Sequence, residues 1–190
     1  MDQTQSIQKI SEMAIFISFA FVIEVVFKVF PSMPQGGGIS MAMLPLVLLT
    51  YRRGLLVGVA SGMIFSMLNF ILGGMVLYHW ASLFLDYFIA FGVFGLSALI
   101  INRNKSSVVY FTLAIVFVGL LRFVSHYLSG VLLFAEWAPE GTPAWLYSLT
   151  YNAWYMVPTI ILSALGGWLI FKRLNPLLTN DLLNQEIFKY

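Results

Sequence analysis

The chain has 190 residues, of which 60% are hydrophobic and 9% charged, with a mean hydropathy of +0.89. Soluble domains carry about 25% charged residues, so a water-soluble globule is excluded and an all-α integral membrane protein is implied. With a net charge of +2, no cysteine and two histidines, disulfides and thiol chemistry are excluded, and neither a protein-built metal cage nor a nucleic-acid surface is expected.

The N-terminal run MDQTQSIQKISEMAIF has an acid at position 2, Lys9 as its only base and no small-residue cleavage site, so it reads as retained. Span one covers about residues 8–30 and stops before PSMPQGGG, which no helix tolerates. Span two, about 39–51, is short and contains Pro45, which suits a tilted crossing or one covered by its neighbours. Span three runs from Gly54 to about Leu72 and ends at Gly73 and Gly74; span four covers about 79–101, span five 107–134 and span six 144–171. A crossing helix needs roughly 20 apolar residues. All of these except span two reach or approach that length, so six spans are predicted, with five plus a re-entrant segment as the alternative. There is no internal repeat, low-complexity tract or second domain, and residues 1–190 are expected to form one transmembrane domain.

Arg52 and Arg53 lie between spans two and three, Arg103 and Lys105 between four and five, and Lys172 and Arg173 just after six. The connections 31–38, 73–78 and 135–143 contain no Lys or Arg, and the last carries Glu136 and Glu140. The positive-inside rule therefore puts both termini in the cytoplasm. Basic and non-basic loops alternate perfectly with six spans and would not with five.

That orientation gives each intramembrane polar group a depth. At 1.5 Å per residue, Asp86 lies about 10 Å from the outer end of span four and His126 about 12 Å from that of span five. On the same scale Tyr147 lies about 5 Å, Asn152 about 12 Å and Glu24 about 9 Å from the outer ends of their spans. These groups converge in the outer half of the membrane, the pattern of a pocket open outward rather than a pore. An ionisable side chain at that depth costs several kcal/mol unless paired or hydrated, which marks Asp86 and His126 as functional candidates. The competing reading makes Asp86 a structural partner of Arg122 or His126. Arg122, one turn before His126, suits an ion pair as well as a ligand contact. Glu24 has Lys28 as an i,i+4 partner. Aromatic residues including Tyr78, Trp137, Tyr151 and Tyr155 flank this level; most fit the interfacial belt of any membrane protein, and a few can stack on a flat cation. PSMPQGGGIS is too irregular for a phosphate loop and reads as a mobile outer lid. Ala14 and Ser18 form a small-xxx-small pair on span one that permits close helix approach. A remote reading, an intramembrane hydrolase using Ser61 with a histidine, suffers because Ser61 lies towards the cytoplasmic end. No Walker lysine motif is present, so ATP hydrolysis by this chain is not expected.

GGGISMAMLPLVLLTYRRGLLVG, HWASLFLDYFIAFGVFGLSAL, HYLSGVLLFAEWAPEG and WLYSLTYNAWYMVP occur in this order. In this they resemble the thiamin-specific substrate-binding subunits (S components, ThiT or YuaJ-like) of energy-coupling factor (ECF) transporters. The resemblance covers about residues 10–172 and implies a six-helix, high-affinity thiamin (vitamin B1) binding subunit of the bacterial cell membrane, not an enzyme. It also implies a transmembrane coupling subunit and two cytoplasmic ATPases as partners, with no cofactor beyond the vitamin itself. Carried across, the substrate site falls on Asp86, Tyr87, His126, Gly130, Phe134, Tyr147 and Asn152. Asp86 would be counter-ion to the thiazolium, His126 and Phe134 flat packing surfaces, and Tyr147 and Asn152 hydrogen-bonding partners of the aminopyrimidine. Tyr78, Trp137, Ser40 and Glu24 are further substrate or lid positions, and Ala14 and Ser18 would meet the coupling subunit. Some relatives carry Glu in place of Asp86, Trp in place of Phe134, and Trp and an acid in place of Gly36 and Ser40. Another vitamin, or a thiamin precursor such as hydroxymethylpyrimidine, is the alternative ligand.

Overall fold

A computed structural model describes residues 3–72 and 77–187, and every regular element among them is helical. The helices are α1 (Gln3–Phe27), α2 (Met43–Arg53), α3 (Leu55–Leu72), α4 (Leu83–Ile101), α5 (Val108–Leu133) and α6 (Ala144–Ile187), with a 3-10 turn at Ala135–Trp137. Five segments are long and apolar enough to cross a membrane: Gln5–Phe27, α3, α4, α5 and Ala144–Arg173. The protein is therefore a multi-pass membrane protein. Most boundaries fall within a few residues of those expected, although the helical backbone of α6 continues well past residue 171. Gly73, Gly74 and residues 75–76, where the third connection was expected to begin, lie outside the described residues.

The segment expected as span two is the irregular one. At 11 residues, α2 rises about 16 Å, roughly half of the 30 Å hydrocarbon layer. Pro45 sits in its first turn, where the missing N–H costs nothing. Two tie points set its course along α1. Ser40 Oγ donates to Glu24 Oε2 at 2.5 Å near one end of α1, and Arg52 and Arg53 both bond Glu12 near the other. Glu12 and Glu24 are separated by about 18 Å along the helix axis. Residues 40–53 thus run antiparallel to α1, first irregular and then helical. Such backbone survives at membrane depth only when enclosed by protein. Here Met43, Leu44, Pro45, Leu46, Val47, Leu49, Thr50 and Tyr51 are all buried, which makes α2 the centre of the core. Phe111 and Phe171 stack beside it at 4.6 Å, with the Tyr51 ring edge-on to both.

Helix α4 changes winding along its length. It is a π-helix over Leu83–Ile89, α-helical over Ala90–Gly92, 3-10 over Val93–Ser97 and α-helical again over Ala98–Ile101. Its backbone touches that of α3: a Cβ added at Gly62 would lie 2.1 Å from the Phe91 carbonyl oxygen. Contact this close is what small residues permit between membrane helices. Hydroxyl groups satisfy carbonyls in the irregular turns, Ser125 Oγ donating to Leu85 O at 2.5 Å and Ser97 Oγ to Phe94 O at 2.6 Å.

Candidate functional site

A cavity of about 560 Å³ opens at the end of the bundle where α1 and α5 finish and α4 and α6 begin. Away from the cavity, Arg52 and Arg53 lie at the α2–α3 corner, Arg103 and Lys105 in the α4–α5 connection, and Lys172 and Arg173 within α6, more than halfway along it from its cavity end. Asp86, Tyr87, His126, Gly130, Phe134, Tyr147 and Asn152 all line the cavity, joined by Tyr78, Trp137 and Glu24. Ser40 does not line it: the residue is buried behind Glu24, with its backbone N–H donating to Thr159 Oγ1 at 3.2 Å. Ala14 and Ser18 lie on the uncovered face of α1, and neither lines the cavity.

Asp86 is carried on the π-helical turn, a widening that recurs at functional sites because it re-aims side chains. Its Oδ1 lies 2.9 Å from His126 Nδ1, and its Oδ2 accepts a hydrogen bond from Ser129 Oγ at 2.5 Å. His126 Nε2 in turn accepts from Arg122 Nε at 3.2 Å, and the guanidinium carbon of Arg122 sits 4.4 Å over the Phe91 ring. Asp86 therefore has the structural partner considered for it. Yet 21% of its side chain stays exposed, so pairing has not sealed it from the cavity. Arg122 also lines the cavity and acts on Asp86 through the imidazole. Ser129 was not anticipated.

Two aromatic walls flank this carboxylate. On α6, Tyr147, Tyr151 and Tyr155 recur at i, i+4 and i+8, with neighbouring ring centroids 5.7 and 6.5 Å apart. Opposite the helix, Phe134 stacks on Trp137 at 4.5 Å, with Tyr78 edge-on to Trp137 at 5.0 Å. Asn152 is fixed on α6 itself: Nδ2 donates to Ser148 O at 2.9 Å, and Oδ1 accepts from Tyr155 Oη at 2.7 Å. Gly130 makes room for this arrangement, since a Cβ there would lie 2.2 Å from Ser148 Oγ. Ser148 Oγ instead donates to Tyr127 O at 2.8 Å, joining α6 to α5.

Residues 32–39 form the remaining wall, the position expected of a lid. Tyr151 Oη accepts the Gln35 N–H at 3.0 Å and donates to Gly36 O at 2.8 Å. Gly37, at φ +92°, lies against the Tyr155 ring so closely that a Cβ would come within 2.6 Å of it. Tyr151 and Tyr155, which suit a generic interfacial belt in the sequence, are thus site residues. A clue was available in the helical spacing of Tyr147, Tyr151 and Tyr155 on one face. The Ser61 hydroxyl is buried without a hydrogen-bond partner and pairs with neither histidine.

The family model described as thiamine transporter protein (Thia_YuaJ) matches residues 10–179. Thiamine transporter ThiT of Bacillus subtilis (strain 168) is 35% identical over 190 residues, covering 95% of this chain and 99% of that protein. Thiamine transporter ThiT of Lacticaseibacillus paracasei is 28% identical over 170 residues, covering 80% and 81% respectively. A solved structure of ThiT from Listeria monocytogenes superposes with a TM-score of 0.78 at 21% identity, covering 92% of this chain and 98% of that one, and shows the same fold.

Proposed function

Because the chain belongs to the thiamine transporter protein family, we propose that it is the thiamin-binding subunit of an ECF-type, ATP-driven vitamin uptake transporter. The observation that carries this reading is Asp86, an ionisable carboxylate open to an aromatic-walled cavity within apolar spans. Small-molecule sites are usually about 300–1,000 Å³ and mostly apolar, with a few polar groups that fix orientation. Thiamin supplies two flat rings, one bearing a permanent positive charge. Asp86 faces that charge, where a low dielectric makes the attraction large. His126 and Phe134 pack against the rings, the latter backed by Trp137. Tyr147 and Asn152 hydrogen-bond the aminopyrimidine, and Tyr87 and Gly130 complete the wall. A neutral pyrimidine precursor leaves the carboxylate without a counter-charge, which favours thiamin over that alternative.

Residues 39–53 serve as the second of six crossings, and both termini face the cytoplasm of a bacterial cell, so the cavity opens outward through the plasma membrane. Residues 31–38 close over bound vitamin. The family consists of transporters, not enzymes, and the energy comes from two ATPase subunits acting through a transmembrane coupling subunit. Ala14 and Ser18 meet that subunit. Helix α1 suits the contact because only 11% of its most apolar window is buried, against 33–50% in the other four spans.

Asp86→Asn tests the site directly. Hydrogen bonds involving a charged group contribute about 1.5–3 kcal/mol, so thiamin affinity should fall roughly 10- to 150-fold. An analogue lacking the thiazolium charge should lose far less. Equal losses for both ligands would make Asp86 a structural residue.

A further inference from the structure

We propose that Arg122 is a positioning residue that selects the Nδ1–H tautomer of His126 and thereby aims an imidazole N–H at Asp86. The functional weight of this arrangement rests on the reading of Asp86 as counter-ion to a cationic ligand. A guanidinium only donates hydrogen bonds. Arg122 Nε donates to His126 Nε2 at 3.2 Å, so Nε2 presents its lone pair and carries no proton. The ring proton is then on Nδ1, which donates to Asp86 Oδ1 at 2.9 Å. The same contact excludes a doubly protonated ring, whose Nε2–H would meet a second donor head-on.

Three consequences follow for the cavity. Both oxygens of Asp86 accept from neutral donors, His126 Nδ1–H and Ser129 Oγ–H, so neither donor cancels the carboxylate charge. His126 adds no second positive charge beside a cationic ligand. The charge of Arg122, although Arg122 lines the cavity, is taken up by the face of Phe91, 4.4 Å from its guanidinium carbon. The i,i+4 spacing on α5 keeps Arg122 and His126 on one helix face.

The chain contains two histidines, and the other serves as an internal control. His79 Nδ1 accepts the Ala81 N–H at 3.1 Å, which puts the His79 proton on Nε2, the tautomer that neutral histidine favours in water. Nitrogen-15 correlation spectra of histidine-labelled full-length protein in lipid nanodiscs, at a pH where both rings are neutral, read both tautomers. The expected result is opposite patterns, His126 protonated on Nδ1 and His79 on Nε2. A His126 proton on Nε2 overturns the proposal, whether or not the variants below fold. Arg122→Lys retains a donor and should keep the tautomer, with thiamin affinity within a few-fold of the parent protein. Arg122→Met removes the donor; it should move His126 towards Nε2–H and weaken thiamin about 10- to 100-fold. An unchanged tautomer in Arg122→Met overturns the assignment of the selecting role to Arg122. The tautomer is read without ligand, so its outcome is separate from that of the binding reading. Nδ1–H with no thiamin binding supports the tautomer assignment and sinks the counter-ion reading, whereas Nε2–H with normal binding does the reverse.

Discussion

Asp86 is oriented by two hydrogen bonds before any ligand arrives, from His126 Nδ1 and Ser129 Oγ. Pre-orientation of this kind spares the cost of fixing a side chain on binding. Ser129→Ala should therefore weaken thiamin by about 1 kcal/mol, roughly fivefold, mostly through faster dissociation. A stopped-flow displacement experiment measures it, and an unchanged dissociation rate would remove Ser129 from the site. Asp86 and His126 were legible in the sequence because an ionisable group in an apolar run is energetically conspicuous. Ser129 was not. A serine in a membrane helix can bond its own backbone, as Thr112 does with Val108 O, and only the placement of α5 against α4 reveals that Ser129 reaches Asp86. Ser40 shows the converse, because its place in the sequence suggested ligand contact while its hydroxyl is spent on Glu24.

At the level of elements, the glycine-rich loop and α4 divide the work of enclosing the cavity. Residues 32–39 are fastened to α6 by the Tyr151 hydroxyl, which both accepts from and donates to the loop backbone. Each neutral hydrogen bond contributes about 0.5–1.5 kcal/mol. Tyr151→Phe, which loses both, should thus speed thiamin release about 5- to 150-fold. Release no faster than in the parent protein would mean that the loop is not the lid. Gly37→Ala should act in the same direction, since its φ of +92° and its proximity to Tyr155 both resist a Cβ. A shorter residence time without global unfolding is the expected result. The loop and the short α2 were readable from PSMPQGGG and Pro45, which interrupt the apolar pattern. The π and 3-10 turns of α4 were not, because LFLDYFIAFGVFGLS holds no proline and, Asp86 and Ser97 apart, reads as one apolar helix.

At the scale of the whole molecule, charge and apolar surface are sorted along two directions. Along the membrane normal, the cavity lies at one end of the bundle, with Lys28 and Arg122 in its lining, and the connection residues Arg52, Arg53, Arg103 and Lys105 lie at the other, where the bonds of Glu12 to Arg52 and Arg53 bind α1 to the α2–α3 corner. Around the bundle, α1 leaves Ile15, Phe19, Val22 and Val26 uncovered beside Ala14 and Ser18. A bulky residue there should block a helix partner without touching the cavity. Ser18→Trp is expected to keep thiamin affinity within about twofold, less than 0.5 kcal/mol, and to abolish uptake in cells carrying the coupling and ATPase subunits. Normal uptake would move the partner interface elsewhere. The apolar runs made the five long helices legible, but not the half-irregular course of residues 40–53, whose burial depends on all its neighbours. The most direct measurement is calorimetric titration of the purified full-length protein with thiamin. A dissociation constant below roughly 1 μM, equivalent to about −8 kcal/mol, is predicted at one site per chain, and binding no tighter than micromolar would contradict it.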